Sequence, residues 1–357
     1  MSDTSATRTA WLVLGMHRSG TSAVTRLLAL AGCDLPADVM PGDEHNAKGY
    51  FEPWKIAIFN DERLRAAGSA WDDAFAYPFR PLPPPEEKAW LKRAAALFDD
   101  DFGHAANPLM KDPRATVLLP FWRAVLAQKT CAARCVIPVR HPLAVAGSLK
   151  RRDGFTDEKS VLVWTCYMLA AEAYTRDLPR AFVGYDALLA DWRAEVKRIE
   201  AALGGPLPNL TDAGAQEIDG FLTKDLRHNA GEAGLEALGW AGAIAADVHG
   251  WFAETAAGGR PDRKRLDHAA AKLARRAEDI GALVSPQARD LATARSELKD
   301  ARDQLIGAKA FQADLRAEMK KERKALEAGW RADLRRLEAA QGALARINAE
   351  LDAALRD

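Results

Sequence analysis

Cysteine, net charge and long apolar runs are all scarce in this chain. Its four cysteines, Cys33, Cys131, Cys135 and Cys166, form no Cys-x-x-Cys pair, so we expect neither structural zinc nor disulfides, as in a reducing cytoplasm. The 50 basic and 50 acidic side chains cancel, which argues against a nucleic-acid partner. The polar residues 1–9 do not have the form of a signal peptide. Because no run of about 18 apolar residues occurs, we expect no membrane span.

Short apolar runs alternate with longer helical patterns over the first 203 residues of the 357-residue chain. Strands are predicted at residues 10–15, 108–110, 134–139 and 181–184. Helices are predicted at residues 22–30, 53–67, 86–98, 115–127, 142–152, 158–175 and 187–203, with a proline-rich extended loop at 77–85. This order predicts an α/β fold with a parallel sheet flanked by helices. Because Pro138 would interrupt a central strand, the sequence does not define where the third strand ends.

The composition changes at about residue 262 and becomes rich in Ala, Leu, Arg, Glu and Lys. We predict an α/β domain over residues 1–261, a linking helix over 262–285 and a coiled-coil helix over 286–357, begun by Ser285 as N-cap and Pro286 in the first turn. Leucines recur at seven-residue steps, with one change of register, at Leu291, Leu298, Leu305, Leu326, Leu337, Leu344 and Leu351. The pattern favours self-association or a partner helix, with folding back on the domain as the alternative.

A glycine-rich loop, GMHRSGTS over residues 15–22, follows the first predicted strand and opens a helix. Glycines allow a tight turn close to a phosphate, and a helix N-terminus presents free N–H groups to it. The spacing matches a Walker A loop, but Thr21 stands at the lysine position and Arg18 lies inside the loop. The loop therefore predicts a P-loop-type anion site, with a plain strand-to-helix turn as the alternative. Its candidate ligands are His17, Arg18, Ser19, Gly20, Thr21 and Ser22.

A second candidate anion site follows the third strand, which ends at Arg140. Ser148 and Arg152 lie on one face of the next helix, because they are four residues apart. A nucleotide kinase would more usually carry an acidic Mg²⁺ ligand at this strand end. An arginine there predicts that phosphate is bound directly, without a metal.

These two segments resemble the sulfotransferases that use 3′-phosphoadenosine 5′-phosphosulfate (PAPS), over residues 10–230. Their 5′-phosphosulfate loop often reads R-[SG]-G-T-[ST], as residues 18–22 do here. Their 3′-phosphate site pairs a strand-end arginine with a serine eight residues on, matching Arg140 and Ser148. The tyrosylprotein branch adds an arginine four residues further, as Arg152 does. The resemblance implies PAPS as co-substrate, no metal, and transfer of a sulfonate to an acceptor hydroxyl, with a carbohydrate favoured.

The tyrosylprotein branch also suggests catalytic residues. Its lysine in an N-K-D-P string contacts the transferring sulfonate, which implies Lys111 in the MKDP string here, with Arg18 as a second cation. Its base is a glutamate after the first helix, which favours Glu52 over the alternatives Glu44 and His45. The neighbouring Asp112 is expected to orient Arg18 or Lys111, or to form a surface pair.

Two further positions have weaker support. Tyr185, at the end of the fourth strand, is either a nucleotide contact or a core tyrosine. The chain lacks the family's GxxGxxK string, so Arg227 and His228 are the substitutes for a segment closing over the cofactor. Two other functions remain open: a P-loop kinase or NTPase, and an adaptor whose coiled coil is its working part and whose α/β domain is not catalytic.

Overall fold

The computed structural model describes residues 8–42, 49–222 and 234–355. Two compact units, Met1–Ala292 and Thr293–Asp357, make up the chain. The first contains all the strands of the described residues and every described site residue. Among the described residues, no helix has the length and apolarity needed to cross a membrane.

The first unit is built on four parallel strands in the order β2-β1-β3-β4. Their bounds are β1 (Arg8–Val13), β2 (Leu109–Lys111), β3 (Cys131–Val139) and β4 (Arg180–Gly184). The predicted fold class, a parallel sheet flanked by helices, is confirmed. Because all the strands run the same way, their carboxyl ends meet at one edge of the sheet, where α/β folds place their ligands.

Helices cover both faces of this sheet. Their bounds are α1 (Thr21–Leu30), α2 (Trp54–Ala66), α3 (Pro84–Phe102), α4 (Arg114–Val117), α5 (Leu119–Gln128), α6 (Pro142–Asp153), α7 (Asp157–Tyr174), α8 (Tyr185–Ala190), α9 (Trp192–Leu203), α10 (Asp212–Phe221), α11 (Gly239–Ala256) and α12 (Lys264–Ala354). Alternate side chains of β1 enter two different cores, with Leu12 on one face and Trp11 and Val13 on the other. This period of two is what a strand buried on both faces requires.

Several helix bounds differ from the prediction. The helix predicted at 115–127 is interrupted at Leu118, and the helix predicted at 187–203 is interrupted at Asp191, whose carboxylate accepts from the Ala194 N–H and caps α9. Helix α3 begins at Pro84, inside the predicted loop, because proline is well tolerated in a first helical turn.

Strand β3 is longer than predicted and continues through Pro138. Its pairing with β1 ends at Val13 and Val136, whereas Pro138 still lies opposite Val183 of β4. Proline therefore occurs beyond the last pair with β1, where a missing N–H removes no ladder hydrogen bond.

No new helix begins at Ser285, contrary to prediction, because α12 runs through Pro286 without interruption. The Ser285 hydroxyl is buried, donates to the Asp73 carboxylate at 3.1 Å and accepts from Arg80 at 3.2 Å. It is therefore engaged in tertiary contacts instead of capping a helix.

All four cysteines are free thiols and all are buried. Burial raises the pKa of Cys135 and of Cys166 to about 12 and also raises the pKa of Cys33 and Cys131.

Candidate functional site

Each strand delivers one predicted site segment to the same edge of the sheet. The glycine loop, residues 15–22, follows β1, and Lys111 is the last residue of β2. Arg140 follows β3 directly, and Tyr185 follows β4 as the first residue of α8. Segments far apart in sequence therefore form one site.

The glycine loop is held in a conformation that requires its glycines. Gly15 and Gly20 have φ values of +136° and +92°, and Arg18 also has a positive φ, of 67°. The Thr116 hydroxyl accepts from the Gly15 N–H at 2.8 Å and donates to the Gly15 carbonyl at 3.3 Å. A Cβ atom on Gly20 would lie 2.2 Å from Cδ2 of Tyr185, so the tyrosine ring covers the start of α1.

The Ser19 hydroxyl and Nε2 of His17 are buried polar atoms of this loop. Neither has a hydrogen-bond partner among the described residues. The His17 ring packs edge-on against Trp71, with 4.8 Å between ring centroids. Burial, followed by the nearby cations Arg114 and Arg152, lowers the pKa of His17 well below its usual value. Because buried polar groups are normally satisfied, the loop is suited to a ligand with acceptor oxygens.

Arg18 connects the glycine loop to the second predicted anion site. Its Nε donates to the Ser148 hydroxyl at 2.7 Å, although the two residues are 130 positions apart. Nη1 of Arg140 donates to the Arg18 carbonyl at 2.9 Å, and the Arg140 guanidinium lies 4.6 Å from the Tyr185 ring centroid. The structure therefore brings together four residues from three segments that are separate in the sequence: the glycine loop, the segment after β3 and the segment after β4.

Arg152 lies near Arg18 but makes direct contacts with other residues. Its Nε donates to Asp153 at 2.8 Å, and its guanidinium lies 5.3 Å from the Trp71 ring centroid. Burial, followed by Arg152, lowers the pKa of Arg18. Arg140 and Arg151 act in the same direction and Tyr50 in the opposite one, so three other arginines lie near Arg18.

Lys111 and Glu52 form a buried ion pair beside the glycine loop. Nζ of Lys111 lies 2.5 Å from Oε1 of Glu52, and the two side chains are only 2% and 4% exposed. The same ammonium donates to the Tyr50 carbonyl at 3.1 Å and to the Ser22 hydroxyl at 3.4 Å. A cation and a carboxylate therefore lie in direct contact beside the loop, so the site has both a positive charge and a candidate proton acceptor.

Asp112 is not the surface group considered from the sequence. It is fully buried and accepts from Asn60 and from Nη1 of Arg114, each at 2.6 Å. Arg114 also donates to Asp61 at 2.8 Å and lies 3.6 Å from Glu52. Asp112 therefore contacts Arg114, which in turn lies against Glu52 of the Lys111–Glu52 pair.

Burial acts to lower the pKa of Arg114, but Asp112, Asp61 and Glu52 together raise it well above its usual value. The sequence reasoning missed Arg114 and Asn60. Arg114 directly follows the MKDP string, so that string could have pointed to it. Asn60 lies in α2 and has no local sequence signal.

Four predicted site residues, Glu44, His45, Arg227 and His228, lie outside the described residues. In the described part of the chain, no group of three or more His, Cys, Asp or Glu side chains is placed to hold a metal ion.

Several solved structures are similar to this chain, among them three sulfotransferases. The sulfotransferase domain of the olefin synthase of Synechococcus PCC 7002 is 17% identical, over 73% of this chain and 99% of its own, with a TM-score of 0.38. A sulfotransferase from Mycobacterium tuberculosis is 15% identical, over 68% and 77%, with a TM-score of 0.44. The sulfotransferase domain of the curacin biosynthetic pathway is 15% identical, over 57% and 76%, with a TM-score of 0.34. No protein-family model and no curated protein matches the sequence.

Proposed function

We propose that this chain is a PAPS-dependent sulfotransferase, which transfers a sulfonate to an acceptor hydroxyl and releases adenosine 3′,5′-bisphosphate. One observation carries the proposal: the 2.7 Å hydrogen bond from Arg18 to Ser148 joins the two anion-binding segments. A donor with phosphate groups on both the 3′ and the 5′ positions of its ribose needs two such segments in one site. The Lys111–Glu52 pair adjoins the same loop, where the transfer would occur.

The donor-binding groups differ from those of a nucleotide kinase. Thr21 replaces the loop lysine that reaches the terminal phosphates, and β3 is followed by Arg140 where an acidic Mg²⁺ ligand would be expected. The loop N–H groups and the buried Ser19 hydroxyl are suited to the 5′-phosphosulfate. Arg140 and Ser148 are suited to the 3′-phosphate. A kinase or NTPase is therefore the weaker alternative.

In the transfer step, Glu52 takes the proton of the acceptor hydroxyl. The acceptor oxygen then bonds to sulfur while the bond between sulfur and the 5′-phosphate oxygen breaks. Lys111 stabilises the sulfonate oxygens, since its ammonium contacts both Glu52 and Ser22 of the loop. Glu44 and His45 remain the alternative bases.

The family resemblance favours a carbohydrate hydroxyl as the acceptor. A sulfonate-transfer screen against glycan, lipid and peptide acceptors tests this choice directly. We also propose a cytoplasmic location, which the four free thiols support.

Donor-site binding provides the first test of the function. At 100 times its dissociation constant, adenosine 3′,5′-bisphosphate should stabilise the native protein by about 2.7 kcal/mol, measured as a rise in melting temperature. Arg140→Ala should abolish this rise, because the variant loses both a phosphate ligand and the contact with the Arg18 carbonyl. Arg193→Ala, at an exposed ion pair with Asp219, is the matched control and should behave as wild type.

An unchanged melting temperature of the wild type with the bisphosphate would contradict the proposed function. Stabilisation by ATP that depends on Mg²⁺ would instead favour the kinase alternative.

For the C-terminal segment, Thr293–Asp357, we propose self-association as a coiled coil. Among its seven-step residues, Leu298 and Leu326 are 71% and 74% exposed, as for a seam without its partner. From residue 286 onwards the tail carries 15 basic and 13 acidic side chains, so like charges do not oppose the pairing of identical helices. The same segment is the basis of the adaptor alternative.

Substitution of the seam in the full chain tests this proposal. Leu298→Asp with Leu326→Asp should reduce the mass measured by light scattering to that of one chain, 38.9 kDa, without changing turnover. Lys309→Asp, a charge reversal off the seven-residue step, is the control and should retain the oligomer. A wild-type protein that is already monomeric at micromolar concentration would contradict self-association.

A further inference from the structure

The turn that leads into Glu52 contains two residues with left-handed backbone. Gly49 has a φ of +95°, which a glycine adopts without strain, but the next such residue is Phe51, with a φ of +55°. A bulky side chain is rarely found in this conformation and persists only where neighbouring contacts hold it. The strained residue stands directly before the proposed base.

Packing of the Phe51 ring supplies these contacts. The ring lies edge-on to Phe221 of α10, with 6.5 Å between ring centroids, and the guanidinium of Arg26 on α1 lies 6.0 Å from its centroid. The ring also folds back over Gly49, where a Cβ atom would lie 3.7 Å from Cζ of Phe51. The left-handed conformation is therefore supported by tertiary contacts with two helices.

The backbone on the far side of Phe51 is also fixed. The carbonyl of Glu52 accepts a hydrogen bond from the Met40 N–H at 2.8 Å. Because peptide units are planar, rotation about the N–Cα bond of Phe51 turns the preceding peptide unit as a whole. The φ of Phe51 therefore determines the direction in which the Tyr50 carbonyl points.

The Tyr50 carbonyl points at the catalytic cation. It accepts from Nζ of Lys111 at 3.1 Å and from the Ser22 hydroxyl at 3.4 Å. An ammonium has three hydrogens to donate, and the other two of Lys111 are directed to Glu52 at 2.5 Å and to Ser22 at 3.4 Å. The contact with Ser22 is the longest of the three, so its hydrogen is the one most readily redirected to a sulfonate oxygen.

We infer that Phe51 is a positioning residue for sulfonate transfer. Its left-handed backbone directs the Tyr50 carbonyl to Lys111, and this carbonyl holds the ammonium between Glu52 and the glycine loop with one hydrogen directed to the sulfonate. The inference rests on the proposed function. It assigns to the turn before the base the task of orienting the cation, which acts on the sulfonate.

The experiment compares two ligands that differ only in the sulfonate, PAPS and adenosine 3′,5′-bisphosphate. Their dissociation constants are measured by calorimetry on the full chain, for wild type, Phe51→Ala and Phe51→Gly. Both variants remove the ring, but only glycine adopts the left-handed backbone without strain. Phe51→Ala should weaken binding of PAPS by about tenfold and Phe51→Gly by less than about threefold. Affinity for the bisphosphate should change by less than about threefold in both variants.

Thr130 provides the matched control. It has a similar left-handed φ, of +50°, but lies directly before β3, at the amino-terminal edge of the sheet and away from the site. Thr130→Ala and Thr130→Gly repeat the same pair of substitutions there. Both variants should bind PAPS and the bisphosphate within about twofold of wild type, because strain at this position does not act on Lys111.

Equal weakening of PAPS binding in Phe51→Ala and Phe51→Gly would overturn the inference, since packing of the ring and not the direction of the backbone would then matter. Equal losses for the two ligands, or no loss for either, would also overturn it and leave the proposed function intact. A wild type that binds neither nucleotide would refute the proposed function itself. If Phe51→Ala does not fold, Phe51→Asn and Phe51→Leu decide the question, because asparagine tolerates left-handed backbone and leucine does not.

Discussion

Replacing Glu52 by glutamine is expected to lower kcat for sulfonate transfer by about 10³-fold, the size of a general-base contribution. The side chain is buried against the Lys111 ammonium, so the amide retains the shape of the site and removes the proton acceptor. Turnover with saturating acceptor measures the effect. Affinity for adenosine 3′,5′-bisphosphate should change by less than about threefold, because the loss belongs to the chemical step.

Matched variants of the other candidate bases make this result decisive. Glu44→Gln and His45→Asn should each retain kcat within about tenfold of wild type. A larger loss in either of them than in Glu52→Gln would transfer the role of base to that residue. Lys111→Met should lower kcat as well, since it removes the cation that stabilises the sulfonate oxygens.

Replacing Asp112 by alanine is expected to lower the free energy of unfolding by about 3–5 kcal/mol, the cost of breaking a buried ion pair. Asp112 is 0% exposed, and its removal deprives the buried Arg114 of its shortest partner, at 2.6 Å, and Asn60 of an acceptor. Urea denaturation followed by tryptophan fluorescence measures the loss, since Trp122 donates to Asn60 within the same network.

Asp61 supplies the comparison for this prediction. It also pairs with Arg114, at 2.8 Å, but its side chain is 31% exposed. Asp61→Ala should therefore cost about 1 kcal/mol or less, since water replaces the lost partner. Equal losses in the two variants would show that burial of Asp112 does not set its contribution.

Much of the fold follows from local patterns. The strands β1 and β3 end in the apolar runs AWLV and CVIPV. The glycine loop is recognisable because its glycines and hydroxyls stand next to each other. Arg140 and Lys111 are found because each lies at the end of a strand, which places it at the same edge of the sheet.

The helix interruptions at Leu118 and Asp191 were not predicted, although each has a local signal. Pro120 stands in the first turn of α5, and Asp191 caps α9. At Pro286 the error is the reverse, because a helix start was predicted where the helix continues. Ser285 resembles an N-cap, but its hydroxyl donates to Asp73, 212 residues away.

The contacts that organise the site are equally distant in sequence. Thr116 bonds the Gly15 backbone across 101 residues, and Arg18 bonds Ser148 across 130. Local sequence patterns contain no record of such pairs. Motifs could therefore name the members of the site but could not show that Arg18 faces Ser148 and Lys111 faces Glu52.

The four buried thiols have a practical consequence for studying this molecule. Maleimide and iodoacetamide react with the thiolate, and burial keeps the native cysteines protonated and shielded near neutral pH. A single cysteine introduced at an exposed position of the C-terminal segment, such as Gln341, would then be the fast-reacting site for a fluorophore or spin label. Distances between such labels could be measured without first removing any native cysteine.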